Sequence, residues 1–103
     1  MRYSDDSGHW ELNSFPGCNQ IVVSNHAYVK PAYRGNGVGR ECNIHRINQA
    51  TELGYDLMLC TVKSVNTIQI RILQRNGWRM LDSFLNRESG NQVELWSKSL
   101  HQN

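Results

Sequence analysis

Residues 31–40 read Pro-Ala-Tyr-Arg-Gly-Asn-Gly-Val-Gly-Arg, and they place three of the chain's eight glycines at positions 35, 37 and 39. Alternate glycines clear side chains from the tightest part of a turn and let several backbone amides converge. Such a turn needs an extended segment leading in and a regular element leading out, and the flanking residues supply both. Residues 21–30, Ile-Val-Val-Ser-Asn-His-Ala-Tyr-Val-Lys, are β-branched enough for a strand. Strict alternation puts Val23, Asn25, Ala27 and Val29 on one face and Ser24, His26 and Tyr28 on the other. Pro31 stops the strand, because it lacks an amide donor and holds Lys30 extended. From Val38 a helix is expected to reach Leu53. Its inward stripe is Val38, Cys42, Ile47 and Ala50, with Ile44 and Leu53 at the margins. Glu41, Arg46, Gln49 and Glu52 are expected in solvent, and Gly54 ends the helix.

The next segment, residues 55–62, is nearly continuously apolar from Leu57 to Val62, the pattern of a central strand. Strand, helix and strand in that order imply a right-handed parallel crossover. A second helix starts at Asn66-Thr67, turns Ile68, Ile72 and Leu73 inward, and ends at Asn76-Gly77. Residues 78–85 and 93–97 read as two further strands, the last an antiparallel return, and the tail from Lys98 is expected to fray. At the other end, Asp5-Asp6-Ser7-Gly8 and Phe15-Pro16-Gly17 are turn signals around a short strand at residues 9–12, an edge hairpin. The fold class is therefore α/β, a mixed sheet with two main helices, in a single domain over residues 1–103.

Composition narrows the function. The chain of 103 residues is 39% hydrophobic and 19% charged, with a net charge of +2. That charge is too small to argue for nucleic acid, although Arg34, Arg40, Arg46, Arg71 and Arg75 could form a stripe. No apolar run approaches membrane-spanning length, and no secretory segment opens the chain, so a cytoplasmic protein is expected. Cys18, Cys42 and Cys60 are too scattered for a metal pair and read as reduced thiols; no metal site is expected.

The glycine turn is suited to an anion. Its amides converge, the helix beginning beside Gly37 adds the positive end of its dipole, and Arg34 and Arg40 add charge-assisted contacts. A tight turn serving only helix–sheet packing is the competing explanation. The turn lacks the Gly-Lys-Ser/Thr ending of a nucleoside-triphosphate loop, and its Gly35-x-Gly37-x-Gly39 spacing differs from the dinucleotide fingerprint.

Arg34-Gly35-Asn36-Gly37-Val38-Gly39 resembles the acetyl-CoA motif of the GCN5-related N-acetyltransferase (GNAT) family, Arg/Gln-x-x-Gly-x-Gly/Ala. The resemblance includes Val29-Lys30-Pro31, Ala50, Gly54-Tyr55, the strand at 57–62, Asn66 and Gly77-Trp78, and it covers residues 21–85. It implies a compact GNAT-like fold with a splayed central sheet. It also implies acetyl-CoA as cosubstrate, its pyrophosphate held by amides of Gly35, Asn36, Gly37, Val38 and Gly39 with Arg34 and Arg40 alongside. Pantetheine would bond to the strand at Ala27, Tyr28 and Val29, and Asn66 would help position it. The implied reaction is direct transfer of acetyl to an amine.

Two features depart from the family pattern. Where members often carry a Tyr that protonates the departing sulfur, this chain has Leu73. His26 and Tyr28 are the substitute catalytic candidates, His26 because an unperturbed imidazole, with a pKa of about 6.5, can accept an amine proton through water. Glu11 is a further group able to approach the cleft, and Cys60 reads as core. Only twenty residues precede Ile21, where the family usually has a strand and two helices that wall the acceptor site. Three arrangements follow: an enzyme with an open acceptor site, a homodimer that borrows its missing wall, or a catalytically weak or inactive domain that binds CoA or a protein partner in a regulatory role.

Overall fold

The structure, a computed structural model, describes residues 2–5, 8–34 and 37–101, with the backbone alone at His26 and Ala27. The strands are β1 (Arg2–Asp5), β2 (Gly8–Phe15), β3 (Cys18–Val29), β4 (Leu57–Lys63), β5 (Arg79–Leu85) and β6 (Gln92–Ser99). The helices are α1 (Val38–Glu52), between β3 and β4, and α2 (Thr67–Arg75), between β4 and β5. The six strands form one mixed sheet in the order β1-β2-β3-β4-β6-β5. The first three are an antiparallel meander. β3 and β4 run parallel, and β6 returns antiparallel between β4 and β5. None of the described helices is long and apolar enough to cross a membrane.

Local chemistry accounts for the turns. Pro16 and Gly17, the latter at φ +78°, link β2 to β3, with Phe15 opposite Cys18. Pro first with positive φ in second place is the type II pattern, and glycine adopts that second position without strain. Asn66 caps α2 by accepting from the Gln69 amide at 3.2 Å. The expected single strand at residues 9–12 is longer and has β1 beside it, with Tyr3 stacked on Trp10 at 6.0 Å.

Both helices lie on one face. The crossovers β3-α1-β4 and β4-α2-β5 step in the same direction across the sheet, and right-handed connections in one direction put their helices on one side. Trp10, Leu12, Val22, Met58, Val62 and Trp96 on the strands meet Ala50 of α1 and Leu73 of α2 beneath them. The helices also touch each other. A Cβ at Gly39 would lie 3.3 Å from Cδ1 of Ile72, so Gly39 sets the closeness of that approach. Asn43, 1% exposed, accepts from Asn76 Nδ2 at 2.9 Å and from Trp78 Nε1 at 3.1 Å. That oxygen ties the middle of α1 to the end of α2.

Several expectations fail on packing. Ile68 is 74% exposed instead of inward, and Ile70 packs against the core. Ile44 and Leu53 are exposed. The tail does not fray at Lys98: β6 runs to Ser99, and Leu100 is buried, its amide donating to Asp56 O at 2.9 Å. The edge strand β5 is exposed along its whole length. Replacing Asn43 with Ala leaves a buried indole N–H without its acceptor. The expected loss is about 1–3 kcal/mol in urea unfolding, with no change in secondary structure.

Candidate active site

The parallel pair β3–β4 is short. Its register runs Ile21↔Leu57, Val22↔Met58 and Val23↔Leu59 and goes no further. Yet β3 continues to Val29 beside β2, and β4 continues to Lys63 beside β6. From Ser24 and Cys60 onward the two strands diverge, and the sheet opens as a V with unpaired strand edges facing the gap.

The other end of the V is tied shut. Asp56 donates its amide to Gln20 O at 2.8 Å and accepts from the Gln20 side chain at 3.1 Å. The Leu100 amide closes on Asp56 O from β6, and Ser14 and Tyr55 share a hydroxyl hydrogen bond of 2.7 Å. α1 is anchored along the β2–β3 half, where Trp10 Nε1 donates to Gln49 Oε1 at 2.9 Å.

β3 also carries an irregularity at the mouth. Glu11 faces Asn25 and His9 faces Tyr28, so β2 advances two residues while β3 advances three. An extra residue in one strand is a β-bulge, and it reverses the alternation. Tyr28 therefore joins the face of Asn25 and stacks on His9 at 5.4 Å, where strict alternation had put it with Ser24. Glu11 does not line the cavity described below.

After β3, residues Pro31–Tyr33 make one 3-10 turn and lead into the glycine segment. Gly35 and Asn36 lie outside the described residues, as do the side chains of His26 and Ala27. Gly37 is the N-cap of α1 at φ +78°, a left-handed conformation that a side chain would strain. With no capping side chain, the amides of Val38, Gly39 and Arg40 open the helix as donors; the first turn closes with Glu41 N on Gly37 O at 3.1 Å. Arg34 turns back toward the mouth. Its Nε donates to Val29 O at 2.8 Å and its guanidinium lies 5.3 Å from the Tyr28 ring centroid.

A cavity of about 1020 Å³ runs from this turn, between α1 and α2, into the V. It gathers Tyr28, Val29, Arg34, Gly37, Gly39, Arg40 and Asn66 of the expected site. Val38 does not line it and contributes as the first residue of α1. Arg34, Arg40, Arg46, Lys63 and Arg75 bring five positive charges to its described lining, which holds no Asp or Glu. A chain of net charge +2 has thus placed five of its 11 Lys and Arg residues on one concave surface, where they attract an anionic ligand. Leu73, in place of a proton-donating tyrosine, is fully buried and outside the lining.

The residue most at odds with expectation is Arg46. It is not a solvent-facing side chain but 6% exposed, and it lies at the inner end of the cavity. Its Nη1 is 3.4 Å from Ser24 Oγ, and its buried Nε has no hydrogen-bond partner among the described residues. Burial pulls the guanidinium below its ordinary pKa, against the opposing influence of Cys60 and Cys42. The signal was present: Arg46 lies four residues from both Cys42 and Ala50, on the stripe assigned to the interior.

Cys18, Cys42 and Cys60 form no disulfide among the described residues. Burial pushes the Cys60 thiol up to about 12, with Arg46 pulling the other way. Cys60 is thus a neutral thiol at physiological pH and not an activated nucleophile.

A family model described as Acetyltransferase (GNAT) family matches residues 7–78. No curated protein matches the chain in sequence. Among solved structures, yncA from Salmonella typhimurium, solved with its cofactor acetyl-CoA, is 22% identical with a TM-score of 0.80 over 94% of this chain and 60% of that one. The ribosomal-protein-S18-alanine N-acetyltransferase from Escherichia coli is 12% identical with a TM-score of 0.80, over 100% of this chain and 70% of that one. The ribosomal-protein-alanine N-acetyltransferase from Brucella melitensis is 19% identical with a TM-score of 0.80, over 91% and 62%. The chain therefore spans about 60% of the length of yncA, and these likenesses establish the fold.

Cys60 gives a pH test of the site's interior. An unfolded chain ionises this thiol around pH 9, whereas the folded chain holds the proton to about 12. The raised folded value means that the contribution to stability is complete below about pH 9 and is lost as pH rises toward 12. Urea unfolding between about pH 8 and about pH 10.5 is expected to show a decline that is shallower in Cys60→Ala.

Proposed function

Because this chain belongs to the GNAT acetyltransferase family, we propose that the V between β3 and β4 holds acetyl-CoA and that the protein transfers its acetyl group to an amine. The observation that carries this reading is the continuity of the cavity. A helix N-terminus with open amides and nearby arginines leads directly into a gap between unpaired strand edges.

The residues fit the cosubstrate. The amides of Val38, Gly39 and Arg40 take the pyrophosphate oxygens, with Arg40 and Arg34 beside them. Gly37 permits the left-handed turn that aims those amides, and Gly35 and Asn36, outside the described residues, are proposed to add their own amides. Between the strands, backbone groups of Ala27, Tyr28 and Val29 bond to the amide-bearing pantetheine arm as a neighbouring strand would. Asn66 already spends its Oδ1 on capping α2, so its part is to hold the start of that helix against the arm.

Acetyl-CoA supplies an acyl group on a thioester, a bond whose thiol is a tolerable leaving group. The chain's part is placement and polarisation. The bulged segment of β3 borders the gap, and one of its amides is proposed to stabilise the charge developing on the carbonyl oxygen. A neutral amine attacks the carbonyl, a C–N bond forms, the C–S bond breaks, and the proton lost by nitrogen ends on CoA sulfur. His26 and Tyr28 are the candidates for moving that proton, through water. The buried Leu73 takes no part.

Titration calorimetry with acetyl-CoA tests the reading on the folded chain. Saturable binding is expected well below millimolar ligand, and Gly37→Val is expected to weaken it about tenfold or more while leaving far-UV circular dichroism intact. A folded sample that takes up no acetyl-CoA at millimolar concentration contradicts the reading.

A further inference from the structure

The deepest charged group in the cavity is Arg46, and the pyrophosphate cradle does not account for it. Eight residues separate it from Val38 at the start of α1, about 12 Å along the helix axis. It sits where the strands first part: Ser24 is the first β3 residue beyond the last register pair, and Cys60 is the first on β4. Both line the cavity. A ligand entering at the glycine turn and following the gap ends against this guanidinium.

Among the described residues the guanidinium lacks the partner that such burial requires. A buried arginine ordinarily meets a carboxylate or several oxygen acceptors, because an uncompensated charge away from water is costly. Here the described hydrogen-bond acceptor is one hydroxyl at 3.4 Å, the nearby thiols of Cys42 and Cys60 offer no standing charge at physiological pH, and Nε has no acceptor among the described residues. No Asp or Glu is among the described lining residues. The surroundings of Arg46 thus suit an anion brought by a ligand, and the fork of guanidinium donors matches a carboxylate.

We propose that Arg46 is a specificity-determining residue that receives the terminal carboxylate of a carboxyacyl-CoA donor, such as a malonyl or succinyl thioester, so that the site takes these donors as well as acetyl-CoA and binds them more tightly. The inference rests on the CoA-binding reading above and extends it to the acyl group. An acceptor's carboxylate is the other source of such an anion. The donor is favoured because Arg46 stands on the helix that carries the pyrophosphate cradle, at the closed end of the same cavity. The transfer keeps the same balance: the amine nitrogen bonds to the thioester carbonyl, the C–S bond breaks, the amine proton passes to CoA sulfur, and the terminal carboxylate is unchanged.

The test is calorimetric titration of the full chain with CoA, acetyl-CoA, malonyl-CoA and succinyl-CoA, in wild type, Arg46→Gln and Arg46→Lys. In the wild type, at least one carboxyacyl thioester is expected to bind about ten- to a hundred-fold tighter than acetyl-CoA. Arg46→Gln is expected to erase that difference while leaving acetyl-CoA affinity within about threefold. Arg46→Lys is expected to retain part of it, as a point charge without the fork. Circular dichroism and thermal unfolding verify the folds. Removing a buried charge with no carboxylate partner among the described residues is expected to leave the melting temperature unchanged or higher. Equal affinity for acetyl and carboxyacyl thioesters in the wild type overturns the proposal and leaves CoA binding standing. So does a preference that survives in Arg46→Gln. A preference erased equally by Arg46→Gln and Arg46→Lys, with both variants folded, is also contrary to it. If no CoA ester binds to the folded wild type, the CoA reading fails and this inference with it.

Discussion

The site depends on one incomplete pairing. Three register pairs join β3 to β4, and the hydrogen bonds around Asp56 lock the end where those pairs lie. Beyond Val23 and Leu59 each strand stays with its outer neighbour, so the sheet divides without unravelling. Backbone groups inside a folded chain are nearly always paired. A sheet that leaves two facing edges open, next to a helix N-terminus, has set aside hydrogen-bonding capacity for something that is not part of the chain.

The helices follow from the same arrangement. Two crossovers in one direction bring α1 and α2 to one face, where the Gly39–Ile72 approach and the Asn43 hydrogen bonds hold them together over the gap. That leaves a roof over the V and an entrance at the glycine turn. The positive charges on the lining are consequences of where the segment before α1, α1 itself, α2 and β4 present their arginines and lysine, not of the modest net charge.

Much of this was legible in local chemistry. Pro16-Gly17, Pro31, Gly37, Asn66 and Gly77 each act on the backbone within a few residues, and each marks an element boundary close to where the structure has it. The splay was legible only through the resemblance carried by residues 34–39. What could not be read was decided by tertiary contact. Asn43 is interior because Trp78 and Asn76 need an acceptor there. Arg46 is interior because the stripe of Cys42 and Ala50 turns it toward Ser24, whatever its polarity. The bulge that reverses Tyr28 has no proline or glycine in β3 to announce it, and Leu100 is held by β6 and Asp56, not by any feature of the tail.

Amide hydrogen exchange with and without acetyl-CoA tests the central claim most directly, because it reads the open strand edges themselves. Added ligand is expected to slow exchange in residues 24–29 of β3, in residues 60–63 of β4 and in the first turn of α1, with little change along β5. Unchanged exchange at the two strand segments, or protection confined to another surface while ligand is bound, contradicts the assignment of the V as the ligand site.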